Sequence, residues 1–583
     1  MSFKLLAIRP LKGCDPKFLK NLKEDEIYQF YQDYRFDLEN GKMNGNVINI
    51  EKLRQSVPDN FYGNENLNIN ISAIVGKNGS GKSALVELLY AVFYNVSIDL
   101  KIFKENNKKE NIHCEIYYQR FNKDLSIIEF SSIKLNGENE IAILSNLNDV
   151  NEFDLIYDLF YNVVTNYSFY GLNSNFSGEW IEKLFHKNDG YQVPIVLNPM
   201  RTEGKIDINR EYKLAKDRLL SNVLNSSNID KNSKTLLNNK KDTGLKLNLK
   251  SKRYKLSEKE GIKKEEILKK YLAKILNSFK DDSGYEEDVE MTRITEILTS
   301  KNIAVITACN YILYKLKKMS SIYGRENTNF TGFDFLDEDS VDSFLNNILK
   351  YDFGSHITYK IRQVINFLKY DLYPKQATMT YYKEQLEHIS DEIFAFRKKT
   401  LLRSQSKILE KNPNTHIIFP FWLLNNVSLI PPSIYDVDYE FEDGSLFSLL
   451  SSGETQKIFS ISTILYHIVN ISSKHHNFLF SDKDYGEIDK KIDIKYRAIN
   501  IILDEIELYA HPEMQRTFTK ELIDKLKNSY LSGIDSINLL FITHSPFILS
   551  DIPKQNVLFL EVDKEIQKVR SGSYEGKNTF GAN

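Results

Sequence analysis

Gly76-Lys77-Asn78-Gly79-Ser80-Gly81-Lys82-Ser83 is the feature that most narrows what this chain can fold into. The octet matches G-x-x-x-x-G-K-S in full, and that loop functions only between a buried strand and a helix that opens at its lysine. Both flanks meet the requirement. Ile71 to Val75 is an apolar run, and Ala84 to Tyr94 is a stretch of helix formers and apolar residues without Pro or Gly. In such a loop Gly76, Asn78, Gly79 and Gly81 turn backbone N–H groups toward phosphate oxygens. Lys82 brings a point charge to the β and γ phosphates, and the Ser83 hydroxyl is placed for Mg²⁺. The octet therefore predicts an α/β sheet domain with ATP and Mg²⁺ as its ligands.

A second half of such a site lies far downstream. Ile499-Asn500-Ile501-Ile502-Leu503-Asp504-Glu505 is an apolar, β-branched run ending in two carboxylates, the pattern of a buried parallel strand whose tip reaches a ligand. Asp504 is then the carboxylate on the Mg²⁺ side and Glu505 the general base for an attacking water. Leu539-Leu540-Phe541-Ile542-Thr543-His544-Ser545-Pro546 repeats the buried-strand pattern and ends in a histidine placed to contact a γ-phosphate.

Leu450-Ser451-Ser452-Gly453-Glu454 stands between these two halves. It resembles the signature motif of ABC-type ATPases in the form found in SMC and RecF relatives, and His544 resembles their switch histidine. The resemblance implies an ABC-type head, a mixed sheet with helices. Two copies would close head-to-tail so that the signature of one covers the nucleotide of the other. Ser452 and Gly453, at the start of a helix predicted over Thr455 to Asn470, would offer donors and a positive dipole end to a γ-phosphate.

Composition narrows the class further. With a net charge of −2 over 583 residues, the whole molecule is not a general polyanion binder, so any nucleic-acid surface must be local. Cys14, Cys114 and Cys309 form an odd, widely spaced set that fits neither a disulfide framework nor a metal cluster, and a reducing, cytoplasmic setting is expected. The longest apolar stretch, Ile303 to Leu316, is broken by Asn310 and Lys315 and is too short for a bilayer, so no membrane partner is expected.

Strands are predicted at Phe3 to Ile8, Val47 to Ile50 and Leu67 to Val75, followed by a hairpin over Ile112 to Tyr118 and Leu125 to Leu135. From about Asn198 to Ile418 the pattern turns longer, more charged and helical, as in Lys264 to Phe279, Ser340 to Leu349 and Ile361 to Leu372. The predicted organisation is an N-terminal head segment over 1–197, a helical insertion over 198–418 and a C-terminal head segment over 419–583. A polar stretch, Ser472 to Lys491, reads as a surface insertion. Within the insertion, Lys231 to Lys270 holds fourteen Lys/Arg against five Asp/Glu, with Tyr254 among Lys250, Lys252, Arg253 and Lys255. That composition suits a nucleic-acid contact, but with the acidic stretch Asp281 to Glu290 close by it suits a solvated loop better.

A narrower resemblance rests on His186 to Arg201 (HKNDGYQVPIVLNPMR), Gly204 to Asn209 (GKIDIN), Ile8 to Cys14 (IRPLKGC) and Asn578 to Asn583 (NTFGAN). These stretches resemble the PtuA-type ATPases of Septu and retron-associated anti-phage defence systems. The resemblance implies an ATP-hydrolysing sensor and scaffold, oligomeric, that controls a separate HNH-type, PtuB-like nuclease subunit. In retron systems it also implies a reverse transcriptase with its RNA–DNA product. Gln192 is the expected Q-loop glutamine, with Gln119 as its competitor. His475-His476-Asn477 lacks the flanking ligands of an HNH site, and the tail after His544 is short for the TOPRIM nuclease of OLD-type relatives, so cleavage is expected from another chain. Relatives are expected to extend past Asn583. The alternatives are a RecF- or SMC-like DNA-repair ATPase and, from another class, a transporter-associated ATPase.

Overall fold

A computed structural model describes residues 3–53, 57–58, 60–103, 108–122, 127–136, 141–145, 148–149, 159–168, 171–185, 191–225, 242–250, 254, 263–279, 289–323, 333–351, 359–382, 385, 388, 391–392, 395–396, 399, 429–441, 443–473, 475, 494–508, 510–529, 531, 533–563 and 565–572. The chain divides into two compact units, one formed by Met1–Tyr212 with Ser451–Asn583 and the other by Lys213–Leu450.

The first unit is built on a seven-stranded sheet of β1 (Asn68–Gly76), β2 (Tyr161–Asn166), β3 (Ile195–Asn198), β4 (Ala498–Asp504), β5 (Ser536–Ile542), β6 (Val557–Val562) and β7 (Val569–Gly572). Their spatial order is β3-β2-β4-β5-β1-β6-β7. All neighbours are parallel except the last pair. Strands β4, β5 and β1 are buried along nearly their whole length, as their unbroken apolar runs demand in a sheet covered on both faces. Helix α1 (Lys82–Asp99) is apolar all round and buried from Ala84 to Val86 and from Leu88 to Ile98. Beside it lies a six-stranded antiparallel sheet that includes Lys4–Pro10, His113–Asn122 and Ile127–Asn136. Phe160 joins these layers: its ring centroid lies 4.7 Å from Phe3, 5.0 Å from Phe93 of α1 and 5.1 Å from Tyr118.

A polar ladder crosses the parallel sheet. Asn162, Asn500 and Asn538 sit opposite one another on β2, β4 and β5. Asn538 Nδ2 donates to Asn500 Oδ1 at 2.9 Å, Asn500 Nδ2 donates to Asn162 Oδ1 at 2.9 Å, Asn162 Nδ2 donates to Pro194 O at 3.1 Å, and Tyr31 OH donates to Asn538 Oδ1 at 2.6 Å. All three asparagines are fully buried. A slip of one residue in any strand would strand these groups in the core, so the ladder fixes register.

The second unit carries α3 (Lys264–Ser278), α4 (Met291–Thr299), α5 (Ile303–Tyr323), α6 (Glu338–Tyr351) and α7 (Tyr359–Lys369), entered through α2 (Ile208–Asn225), which begins in the first unit. It also holds a three-stranded antiparallel sheet with Asp242–Leu249 between Thr378–Tyr382 and Tyr435–Phe441. The insertion expected to be helical is thus mixed. Its limits also fall elsewhere than 198 and 418: Arg201 is buried against Asn166 in the first unit, whereas Tyr435–Phe441 pairs within the second. Ser472 to Lys491 lies mostly outside the described residues, as does Lys231 to Lys270 apart from 242–250, 254 and 263–270. Among the described residues no helix is long and apolar enough to cross a membrane.

Asn500→Ala leaves a buried acceptor on Asn162 and a buried donor on Asn538 without partners, each costing about 1–3 kcal/mol. The first unit should lose about 2–6 kcal/mol by this sum, read from urea unfolding followed by signals confined to that unit. A loss too small to measure would show that the ladder does not hold the register.

Candidate functional site

The glycine-rich loop follows β1, and its geometry accounts for its composition. Gly81, the N-cap of α1, has φ +84°, a left-handed conformation that side chains rarely adopt. A Cβ on Gly76 would collide with Ser80 Oγ and stand 2.7 Å from Leu560 O. Asn78 and Gly79 are exposed on the loop, and Asn21 Nδ2 braces it by donating to Gly79 O at 2.7 Å. Ser83 is exposed on the first turn of α1. Lys82 Nζ folds back into the loop, donating to Gly76 O at 2.9 Å and to Lys77 O at 3.3 Å. Burial lowers its pKa, opposed by Glu505, Asp504 and Glu507, so these four groups share one electrostatic environment.

Asp504 ends β4 and is buried. Asn166, at the tip of neighbouring β2, donates from Nδ2 to Asp504 Oδ2 at 2.6 Å, whereas Oδ1 has no hydrogen-bond partner. Burial, then the charges of Glu505 and Glu507, push the Asp504 carboxyl up to about 7, against the Asn166 hydrogen bond and Lys82. Asn166 is itself held by buried Arg201, whose Nη2 donates to Asn166 O at 2.8 Å, Asn166 Oδ1 at 3.3 Å and Ser168 O at 3.0 Å, while Nη1 donates to Gly171 O. Burial brings the Arg201 guanidinium down to about 10, with Asp504 opposing. A buried carboxylate oxygen without a partner, next to a loop carrying a free-standing hydroxyl on Ser83, is the donor chemistry that a hard divalent cation takes. Ser83 and Asp504 therefore fit Mg²⁺.

Glu505 adopts φ +51° and donates its N–H to Ile542 O at 2.9 Å, which keeps its side chain half-exposed just past the strand tip. His544 is exposed, and its imidazole pKa is lowered by burial and by Lys82, against Glu507 and Glu505. The structure thus brings Lys82, Asp504, Glu505 and His544 together at the C-terminal edge of the parallel strands. Glu507 joins them although the sequence reading passed over it. Its Oε1 accepts from Thr543 Oγ1 at 2.6 Å and from the His544 N–H at 2.8 Å, tying the segment after β4 to the histidine-bearing tip of β5.

Helix α8 (Ser452–Ser473) begins three residues before the predicted Thr455. Ser451 N and Oγ donate to Glu454 Oε2 at 3.0 and 2.7 Å, and Glu454 N donates to Ser451 Oγ at 3.4 Å. This capping box fixes the start, because its two residues satisfy each other's donors. Ser452 and Gly453 consequently occupy the first turn, Ser452 exposed and Gly453 buried. No hydrogen bond joins either of them to residues 76–83 among the described residues. Lys457 of α8 donates to Glu521 Oε1 at 2.5 Å and Thr517 Oγ1 at 2.8 Å of α9 (Pro512–Lys527), and both charged groups are buried.

Gln192 is a correction. It precedes β3, which runs parallel to β2, so it lies at the edge of the sheet opposite the loop, Asp504 and His544. There its Oε1 accepts from Ile494 N at 2.8 Å, and its backbone carbonyl accepts from Tyr496 OH. Its competitor Gln119 is buried in the antiparallel sheet and accepts from Tyr34 OH at 2.5 Å. The amide at the working edge is Asn166. His475 donates from Nε2 to Tyr496 O at 2.9 Å, while His476 and Asn477 lie outside the described residues, as do 186–190 and 573–583. Among the described residues no group of three or more His, Cys, Asp and Glu is arranged to hold a metal.

No family model matches the chain, and no curated protein matches it. Among solved structures, the chain is similar to the recombination mediator protein RecF of the RecFOR pathway in its form titled RecF-ATPrS. That match has 12% identity and a TM-score of 0.26, covering 98% of this chain and 99% of that one. It is also similar to the form titled RecF-ATP, with 11% identity and a TM-score of 0.26, covering 94% of this chain and 95% of that one.

Since a carboxyl raised to about 7 is protonated below that pH, Mg²⁺ must displace a proton to bind there in acid. Mg²⁺-dependent nucleotide affinity should rise between about pH 6 and 8. Asp504→Asn should remove the part of that rise which exceeds the titration of the free nucleotide. The same shift sets a stability trend. The unfolded carboxyl ionises near pH 4 while the folded one holds its proton, so without ligand Asp504 destabilises increasingly up to its folded pKa. Equal pH profiles of nucleotide affinity for the native and Asp504→Asn chains, measured by titration calorimetry, would contradict the first expectation, and equal pH profiles of their unfolding free energy, measured with urea, would contradict the second.

Proposed function

We propose that the chain is an ABC-type ATPase of the RecF and SMC kind, which binds ATP with Mg²⁺ and hydrolyses it when two copies close head-to-tail. The observation that carries this reading is Asp504 Oδ1, a buried acceptor without a partner at the strand tip beside the lysine of a phosphate loop. Lys82 would leave the Gly76 and Lys77 carbonyls for the β and γ phosphates, and loop N–H groups would cradle the same oxygens. Ser83 and Asp504 would hold Mg²⁺, which would supply charge neutralisation between the β and γ phosphates.

Glu505 would accept the proton of the attacking water, and His544, kept neutral by its surroundings, would donate to the γ-phosphate. Glu507 sets the backbone beside His544 and acts as a positioning group. The exposed Ser452 hydroxyl and the first-turn N–H groups of α8 offer a second set of donors, suited to the γ-phosphate of nucleotide held by another copy.

A second, finer reading makes the chain the ATP-hydrolysing sensor of an anti-phage defence complex, controlling an HNH-type nuclease and, in a retron setting, a reverse transcriptase. It is favoured by the sequence stretches 8–14, 186–201, 204–209 and 578–583 alone. Purification of the native complex separates the two readings. A co-purifying HNH nuclease supports defence, and recombination proteins support repair.

Two experiments test the shared core. Lys82→Ala should abolish nucleotide binding, whereas Glu505→Gln should retain binding and slow hydrolysis by about 10²–10⁴, the usual contribution of a positioned general base. Unchanged turnover in Glu505→Gln would remove that residue from the reaction. Ser452→Arg should bind nucleotide normally but hydrolyse none, and mixing it with Lys82→Ala should restore part of the activity through one intact composite site per heterodimer. Full hydrolysis by Ser452→Arg alone would show that the site is not shared.

A further inference from the structure

Within the first unit, a small cavity lies between α8, α9 and the segment that follows β4. Gln456, Lys457, Glu507, Gln515, Phe518 and Ile548 are among its walls, and its volume is about 10 Å³, close to what one water needs. Phe518 and Ile548 are buried, so a polar atom turned into this space finds few other groups to bond.

The four polar walls are of two kinds. Lys457 Nζ is already taken by Glu521 and Thr517. Gln515 is satisfied at both ends, because its Nε2 donates to Ala510 O at 2.8 Å and its Oε1 accepts from Ser545 Oγ at 2.6 Å. Gln456 Nε2 and Glu507 Oε2 differ: each is buried and, among the described residues, without a hydrogen-bond partner. One is a donor and the other an acceptor, and both belong to walls of the same one-water space. A water there accepts from Gln456 Nε2 and donates to Glu507 Oε2, which meets the need of both atoms and gives the water the two polar partners it requires. The bridge also has two meaningful ends. Gln456 stands one helical turn after Ser452 on the same side of α8, and the other oxygen of Glu507 holds the Thr543 hydroxyl and the His544 N–H.

We propose that Gln456 is a positioning residue for ATP hydrolysis, which holds Glu507 through one water bound in this cavity and so ties the start of α8 to the backbone of His544. This role rests on the ATPase reading above, whereas the bound water does not.

A crystal structure of the full chain should show one water within about 2.7–3.2 Å of both Gln456 Nε2 and Glu507 Oε2. In steady-state ATP hydrolysis, Gln456→Met should lower kcat about 3- to 10-fold, the size of one hydrogen bond, while nucleotide affinity by calorimetry stays the same and the thermal midpoint does not fall. Gln456→Lys, long enough to take the place of the water and donate to Oε2 directly, should recover most of the rate. Unchanged kcat in Gln456→Met would overturn the proposal, as would an equal loss in Gln456→Lys. So would a loss that extends to affinity and thermal midpoint, which assigns the glutamine a structural role, or a native structure in which the two atoms share no water. A native chain that hydrolyses no ATP would overturn the ATPase reading and this role together, whereas native hydrolysis with an indifferent Gln456→Met overturns this role alone.

Discussion

The hydrogen-bonded row of Asn162, Asn500 and Asn538 is the constraint on which the candidate site depends. Parallel strands rich in Ile and Leu pair almost equally well in several registers, because apolar contacts are not directional. The buried amides are directional, and only one alignment satisfies them. From that alignment, counting outward along β2, β4 and β5 brings Asn166 opposite Asp504 and Asp504 opposite Ile542. Thr543 and His544 follow at the tip of β5, beside the loop that leaves β1. The strand tips meet because the amides far behind them do.

What is assembled there is electrostatically unsettled. Lys82 and Arg201 are both pulled toward neutrality by burial, and Asp504 is held near 7 with one oxygen unpaired. Groups kept in the wrong charge state for their surroundings cost stability, and they are where binding a partner of opposite charge returns the most. A magnesium triphosphate supplies both signs at once: phosphates for Lys82 and a cation for Asp504. Glu507 couples this to geometry, because its carboxylate, which adds to burial and the Glu505 charge in raising the Asp504 pKa, also holds the Thr543 hydroxyl and the His544 N–H.

Much of this was legible in the sequence where the chemistry is contiguous. The loop at 76–83, the carboxylates after Leu503 and the histidine after Thr543 each adjoin an apolar run that predicts the strand presenting them. What the sequence does not carry is which edge of the sheet a residue reaches. Gln192 sits next to a strand, as a ligand-binding glutamine would, but on its entering side, and topology alone decides that. Asn166 and Arg201 escaped notice because their partners are remote: Asn166 and Asp504 are 338 positions apart. The start of α8 was readable, since Ser451 and Glu454 form a capping box three residues apart. The sheet in the second unit was foreshadowed by Leu245, Leu247 and Leu249, whose alternation is overshadowed by the surrounding lysines.

The most direct test of the central claim is an experimental structure of Glu505→Gln with ATP and Mg²⁺. The account predicts two copies related head-to-tail, Mg²⁺ held by Ser83 and Asp504 Oδ1, Lys82 moved from the loop carbonyls to the β and γ phosphates, and Ser452 of the second copy on the γ-phosphate. Nucleotide enclosed by a single copy, or Asp504 left without a role at the cation, would contradict it.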